Sequence, residues 1–152
     1  RSGFVRRVPH RAGLHAPLTA AAPAADMTGR PAPVAELSAD FVLASARRLP
    51  HVPADHPCGR LHGHTFGVRL VVRGPVDPTS GWVADFADLA AAWAPMHAQL
   101  DHRVLNEVEG LENPTSERLA LWLWAQLQPS LPALHAIEIS ETGGFRVTYR
   151  GE

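Results

Sequence analysis

The stretch HGHTFGVRLVVR, residues 62–73, decides the fold of this chain. Its even-numbered positions carry apolar or imidazole side chains, namely His62, His64, Phe66, Val68, Leu70 and Val72. Its odd-numbered positions include Thr65, Arg69 and Arg73. Alternate residues of a β-strand point to the same face, so this pattern predicts a half-buried strand with both histidines on its apolar face.

A further strand is predicted upstream, at residues 37–47. Its odd positions are mostly apolar and end at Arg47, while Asp40 falls on the opposite face. The parity that buries the apolar residues therefore also points Arg47 inward. A charge is unusual on such a face.

Two helices and two more strands are predicted downstream. Asp85 can cap a helix that continues to Leu100, with a kink at Pro95, and Asn113 can cap a second helix that continues to Leu127. Residues 135–142 and 145–150 have strand patterns, and two glycines between them supply a hairpin turn. The order ββααββ predicts an α+β fold with an antiparallel sheet.

The composition is that of one globular domain. The chain has 152 residues, 45% of them hydrophobic and 19% charged, with a net charge of -1, which does not indicate a nucleic-acid partner. Its single cysteine, Cys58, cannot form an intramolecular disulfide, so the reducing cytoplasm is an acceptable location. No apolar run approaches the roughly 18 residues of a membrane span, and we expect no membrane partner.

Residues 1–35 differ from the rest of the chain in charge. They contain five arginines and one acidic residue, Asp26, together with nine alanines and five prolines. We predict that they form a disordered basic extension and that residues 36–152 form the folded domain. A transit peptide, or upstream sequence translated before a start at Met27, are the alternatives.

The first candidate site is CGRLHGH, residues 58–64. Two imidazoles at alternate strand positions stand roughly 7 Å apart at the backbone, so His62 and His64 can converge on one zinc ion. Hydrogen-bonded or surface histidines are the alternative. Cys58 has no second cysteine with which to form a structural zinc site. It is a candidate base or nucleophile if its thiolate is stabilised, and otherwise an inert thiol.

Two acidic side chains point to further chemistry. Asp101 directly precedes His102, and a carboxylate beside an imidazole can orient it and raise its basicity. Glu141 is in line with Ile137 and Ile139 on the apolar face of its predicted strand. A buried carboxylate needs donors there, either an arginine of the protein or a ligand with a guanidine-like edge.

Six motifs, in this order and spacing, resemble the 6-pyruvoyltetrahydropterin synthase family: CGRLHGH, GWVADFADL, LDHRVLN, LENPTSE, SET and YRGE. The stretch RLPHVPADHPCGRLHGH, residues 48–64, is similar to the bacterial 6-carboxy-5,6,7,8-tetrahydropterin synthase branch of the queuosine pathway. The resemblance covers about residues 37–152. It implies a tunnelling fold with two helices on one face of the sheet, in which several chains close a barrel as a homohexamer or another homo-oligomer.

The resemblance also implies a reaction and its catalytic residues. The branch converts the small-molecule pterin 7,8-dihydroneopterin triphosphate to 6-carboxytetrahydropterin, with release of acetaldehyde and triphosphate. Cys58 matches the family's catalytic cysteine, and Asp101 with His102 matches the dyad that works beside it.

The binding residues follow from the same resemblance. Glu141 matches the carboxylate that binds the amino-pyrimidine edge of the pterin, and Thr115 and Ser116 match the helix start that helps to hold the ring. His62 and His64 match two of the family's three zinc ligands.

The third zinc-ligand position departs from the family pattern, because Arg47 stands where the family has a histidine. Arginine is cationic at any ordinary pH and is not a zinc ligand. Three interpretations follow from this departure. They are a zinc lyase with an altered metal site, a related pterin lyase such as a 6-pyruvoyltetrahydropterin synthase, and a non-catalytic pterin-binding homologue that has lost zinc.

Overall fold

The structure is a computed structural model and describes residues 29–152. Residues 1–28 of the predicted extension, which include Met27, therefore lie outside the described residues. The first strand, β1, spans Val34–Arg47 and begins slightly before the predicted domain boundary.

Four strands form one antiparallel sheet in the order β1-β2-β3-β4. The other three strands are β2 (His62–Pro75), β3 (Leu134–Ser140) and β4 (Arg146–Tyr149). β1 and β2 pair along their whole length, in a register that places Arg47 opposite His62. The alternation predicted for β2 is confirmed, since its apolar even positions from Phe66 onward are buried.

Two helices pack against this sheet, α1 (Phe86–Leu100) and α2 (Ser116–Leu127). Asp85 caps α1 as predicted, because its side chain accepts a hydrogen bond from the backbone N–H of Ala87 at 2.8 Å. α1 runs through Pro95 to Leu100. With these helices in place, the predicted α+β class and ββααββ order are confirmed.

The cap predicted for α2 was wrong. Thr115, not Asn113, caps this helix, and its hydroxyl accepts from the backbone N–H of Arg118 at 3.3 Å. A hydroxyl at position 115 reaches the free N–H three residues further on, which is the N-cap geometry, so the helix starts after Pro114 and not at it.

The core lies between the sheet and the helices. Its fully buried side chains come from both layers: Leu43, Phe66, Leu70 and Ile137 from the strands, and Leu119 and Leu123 from α2. No helix within residues 29–152 is both long and apolar enough to cross a membrane.

The hairpin between β3 and β4 sets the position of Glu141. β3 ends at Ser140, so Glu141 lies just beyond the strand and not within it as predicted. Its backbone N–H still donates to the carbonyl of Phe145 at 3.0 Å. Gly143 and Gly144 have φ values of 95° and 85°, which only glycine adopts readily, and the predicted turn is confirmed.

Candidate active site

Arg47 is buried at the end of β1, with only 4% of its surface exposed, as strand parity predicted. Its guanidinium lies over the ring of Phe66, 5.2 Å from the ring centroid. Nη1 donates to the carbonyl of Pro114 at 3.1 Å and to the hydroxyl of Ser116 at 3.4 Å. Nη2 donates to both carboxylate oxygens of Glu141, at 2.8 and 2.9 Å. The buried cation is therefore paired within the chain.

Glu141 receives hydrogen bonds from two sides. Besides the guanidinium of Arg47, the hydroxyl of Ser116 donates to its Oε1, and Ser116 is the first residue of α2. Burial acts to raise the pKa of Glu141, but the hydrogen bonds from Ser116 and Arg47 and the positive charge of Arg47 outweigh it. The pKa is therefore held below its ordinary value of 4.5, and the carboxylate is charged at neutral pH.

The two histidines of β2 lie next to each other on the same face of the strand. The rings of His62 and His64 lie edge to face, with their centroids 4.8 Å apart. Nε2 of His64 lies 3.2 Å from Nη2 of Arg47, and because a guanidinium only donates, this nitrogen is the acceptor. Burial first, and then the charge of Arg47, lower the pKa of His64, which favours its neutral form.

His62 also presents a lone pair to this centre. Its Nδ1 lies 2.8 Å from the carbonyl oxygen of Arg60, so Nδ1 carries the proton. Its Nε2 is buried and has no hydrogen-bond partner within residues 29–152. The imidazole is thus in the tautomer that a metal ligand needs.

These residues nevertheless do not fit a three-ligand zinc site. Arg47 stands where the resemblance implies the third ligand, and its guanidinium already takes the lone pair of His64 that a metal would need. Over the part of the chain that the structure describes, no three or more His, Cys, Asp or Glu side chains are grouped to hold a metal ion. A zinc ion at His62 and His64 would require Arg47 to leave.

Cys58 lies in the short 3₁₀ turn Pro57–Gly59, on the connection between β1 and β2. Its backbone N–H donates to Nδ1 of His56 at 3.1 Å, and its carbonyl accepts from the N–H of Leu49 at 2.8 Å. The side chain is a half-buried free thiol. Among the described residues, no hydrogen bond joins this thiol to another predicted site residue.

The predicted pairing of Asp101 with His102 is confirmed. Nδ1 of His102 lies 2.6 Å from Oδ2 of Asp101, while Oδ1 accepts from the backbone N–H of Ala44 at 3.0 Å. The N–H of Ala44 first, and then His102, lower the pKa of Asp101 below its ordinary value. A fixed, charged carboxylate thus orients the imidazole of His102 through its Nδ1.

Two cavities are lined by some of the predicted site residues. One, of about 520 Å³, is lined by Arg47, Thr115, Ser116, Glu141 and Phe145 among others. The other, of about 620 Å³, is lined by His64, Thr65, His102, Arg103 and Thr142 among others. Within one chain the predicted pterin-binding residues and His102 therefore line different cavities.

Two roles were missed in the sequence. The parity of the strands placed Arg47 and Glu141 on inner faces but did not pair them with each other. Asn106, inside the motif LDHRVLN, was given no role, yet its side chain bonds to the N–H and carbonyl of Arg48 and to the carbonyl of Glu112, at 2.8 to 3.0 Å. It ties the end of β1 to the segment before α2. No local pattern in the sequence distinguishes it from a surface asparagine.

Four antiparallel strands with two helices packed on them define a protein of the tunnelling fold. The structure of 6-pyruvoyl tetrahydropterin synthase from Caenorhabditis elegans has the same fold. It superposes with a TM-score of 0.74 at 28% identity, over 80% of this chain and 98% of that one. The chain belongs to the 6-pyruvoyl tetrahydropterin synthase family, whose profile matches residues 36–152.

Several characterised relatives carry different activities. A 6-carboxy-5,6,7,8-tetrahydropterin synthase from Synechocystis is 40% identical over 109 residues, which cover 68% of this chain and 83% of the relative. A dihydroneopterin monophosphate aldolase from Pyrococcus furiosus is 40% identical over 72 residues, covering 47% and 60%. The human 6-pyruvoyl tetrahydrobiopterin synthase is 35% identical over 97 residues, covering 60% and 67%. The family thus comprises lyases that act on pterins.

Proposed function

We propose that this chain is a 6-carboxy-5,6,7,8-tetrahydropterin synthase. It would convert 7,8-dihydroneopterin triphosphate and water to 6-carboxytetrahydropterin, acetaldehyde and triphosphate, as in the queuosine pathway. No external oxidant is needed, because the pterin ring and the departing two-carbon fragment take up the electrons that the first side-chain carbon loses. The 40% identity to the Synechocystis enzyme supports this product over those of the other relatives, since that match spans the larger share of both chains.

The observation that carries the proposal is the contact between the carboxylate of Glu141, which follows β3, and Ser116, the first residue of α2. A charged carboxylate accepts two parallel N–H bonds, which is what the amino-pyrimidine edge of a pterin offers. Ser116 fixes Oε1, and Thr115 and Ser116 line the same cavity, where the backbone donors of the helix start would hold the ring. The cavity of about 520 Å³ is in the size range of small-molecule sites.

The remaining predicted residues would move protons. In this proposal His102, oriented by Asp101, and the thiol of Cys58 exchange protons with the ligand's side chain. His102 lines another cavity than Glu141. In the proposed function the complete site therefore lies between chains of a cytoplasmic homo-oligomer. No step is assigned to zinc, since the described residues do not fit its usual ligand set.

A second candidate function is a pterin-binding protein without catalysis. It is favoured by one observation, the guanidinium of Arg47 at the lone pair of His64, where the family places its metal. Such a protein would keep the affinity for the pterin that Glu141 provides and would release no product.

The test is incubation of the purified protein with 7,8-dihydroneopterin triphosphate, followed by mass spectrometry of the products. We expect 6-carboxytetrahydropterin and acetaldehyde, and we expect Glu141→Gln to lose product. Glu138→Gln is the matched control, because Glu138 is on the same hairpin but pairs with Arg69 and Arg146. Binding of the pterin without turnover would favour the second candidate, and a pyruvoyl or aldolase product would assign the chain to another branch.

A further inference from the structure

The guanidinium of Arg47 occupies the carboxylate of Glu141 that the proposed pterin would use. A guanidinium and the amino-pyrimidine edge of a pterin both offer N–H donors to a carboxylate, and here a single nitrogen of Arg47, Nη2, reaches both oxygens. Both oxygens of Glu141 accept from Arg47 at 2.8 and 2.9 Å, and Oε1 also accepts from Ser116. The chain therefore already satisfies the acceptor that a pterin needs.

Arg47 is fixed in this position by several independent contacts. Its Nη1 bonds to the carbonyl of Pro114 and its plane lies over Phe66. The paired register of β1 and β2 sets where its backbone stands. Its side chain is only 5% exposed, whereas that of Glu141 is 20% exposed and lines the cavity. A ligand entering the cavity thus meets a carboxylate whose inner side is occupied by the protein.

We propose that Arg47 is an internal competitor for the ligand site, whose guanidinium takes at Glu141 the place of the amino-pyrimidine edge of a pterin. This inference rests on the proposed function, because it names the residue that sets the affinity of that site. A pterin binds at Glu141 only when the guanidinium yields at least one of its hydrogen bonds, so Arg47 weakens the binding of every ligand that uses this carboxylate. Ligands without the 2-amino group keep only a ring N–H for this carboxylate and gain less from the removal of Arg47.

The experiment compares pterin binding to the unmodified chain and to three folded variants by fluorescence titration with 7,8-dihydroneopterin. Arg47→Met removes the competing guanidinium and keeps an unbranched apolar side chain over Phe66, and we expect it to tighten binding by about tenfold, the factor that corresponds to one charge-assisted hydrogen bond. Arg48→Met, at the exposed neighbouring position, is the matched control and should bind like the unmodified chain. Adding Glu141→Gln to Arg47→Met should abolish this increase in affinity for 7,8-dihydroneopterin.

A second ligand sharpens the comparison. A pteridine with an oxo group in place of the 2-amino group offers one donor fewer, and its binding should tighten less on Arg47→Met than that of 7,8-dihydroneopterin. Equal tightening for both ligands would mean that Arg47→Met merely enlarges the cavity, and this would overturn the inference.

The unmodified protein provides a test that needs no variant. In chain labelled with ¹⁵N in its arginine side chains, the Nη–H signals of a paired, buried guanidinium exchange slowly and can be followed by NMR. We expect added 7,8-dihydroneopterin to shift or broaden the signals of Arg47 and to leave those of Arg69 unchanged. Two outcomes would overturn the inference about Arg47 and leave the proposed function standing. One is binding that depends on Glu141 but does not shift the Arg47 signals, and the other is an Arg47→Met variant that binds no tighter than the unmodified chain. Binding that ignores Glu141, or no binding by any variant, overturns the proposed function as well.

Discussion

The guanidinium cluster around Arg47 and the carboxylate–imidazole pair of Asp101 and His102 are built in opposite ways. Arg47 and Glu141 are 94 positions apart in the chain, lie at the inner face of the sheet and exclude most solvent. Asp101 and His102 are neighbours in sequence, and the ring of His102 is 82% exposed. The first arrangement has an arginine where the resemblance implies a histidine, whereas the second has both residues that the resemblance implies. The comparison indicates that one long side chain is enough to join groups that are far apart in the chain, while a pair of sequence neighbours needs no such reach.

The largest effect is expected from Arg47→His, which would restore a three-histidine set at the cluster. We expect the unmodified protein to carry far less than one zinc per chain and the variant to carry close to one, because three imidazoles replace two and a repelling cation is removed. Elemental analysis of both proteins after dialysis measures the change. A full equivalent of zinc in the unmodified protein would show that another residue completes the site.

The next largest effect concerns the dyad and Cys58, if turnover is detected. His102→Asn and Cys58→Ala should each lower the turnover of 7,8-dihydroneopterin triphosphate by about 10²–10⁴-fold, the usual contribution of a proton-transfer group. Affinity for the pterin should change little, because in the proposed function Glu141 holds the ring while these two groups exchange protons with the ligand's side chain. Steady-state kinetics and a binding titration separate the two effects. Weaker binding with unchanged turnover would contradict the assigned roles.

A double-mutant cycle tests whether the Arg47–Glu141 pair acts as one unit in stability. Arg47→Met alone leaves a mostly buried carboxylate without its cation and should lower the free energy of unfolding by about 3 kcal/mol. Adding Glu141→Gln should recover much of this loss, since no charge is then left unpaired. Urea unfolding measures the free energy of unfolding of the unmodified chain, the two single variants and the double variant.

The exposed pair Arg69–Asp40 is the control for that cycle. Its nitrogen and oxygen lie 2.6 Å apart, but the two side chains are 40% and 67% exposed. Arg69→Met should therefore change stability by less than about 1 kcal/mol. A loss as large as that of Arg47→Met would mean that burial does not distinguish the two pairs.

The smallest effect is expected at Asp101, as a function of pH. Because the folded chain holds its pKa below the ordinary 3.8, the charged carboxylate stabilises the fold above that value, and this contribution is lost as pH falls through the folded pKa. Asp101→Asn should lower the melting temperature at neutral pH, and the difference should close as the pH falls below 3.8. Parallel melting curves that keep the same separation down to acid pH would contradict this assignment.

The sequence predicted the parts that depend on nearby residues. The alternation in β2, the cap at Asp85, the turn at Gly143 and Gly144, and the contact of Asp101 with His102 all follow from residues within one or two turns or strand positions. The inward direction of Arg47 followed from parity alone, and it is confirmed.

The partner of Arg47 could not be predicted in this way. Its choice depends on how β1, β3 and the start of α2 meet in space, and Pro114, Ser116 and Glu141 are each more than sixty positions away. The sequence indicated that Glu141 needs a hydrogen-bond donor and that Arg47 points inward. Only the packed sheet shows that Arg47 is this donor and that Glu141 is the partner of the buried arginine.

The backbone conformation at His102 costs stability, and in the proposed function the same residue provides the imidazole of the dyad. Among residues 29–152, His102 is the one residue other than glycine with a positive φ, 55°, a conformation that side chains with a Cβ adopt at a cost. Glycine there should raise the melting temperature and remove the imidazole, and asparagine should fall between the two. A chain selected only for stability would thus lose its dyad first, and screens for more robust variants of this protein should hold position 102 fixed.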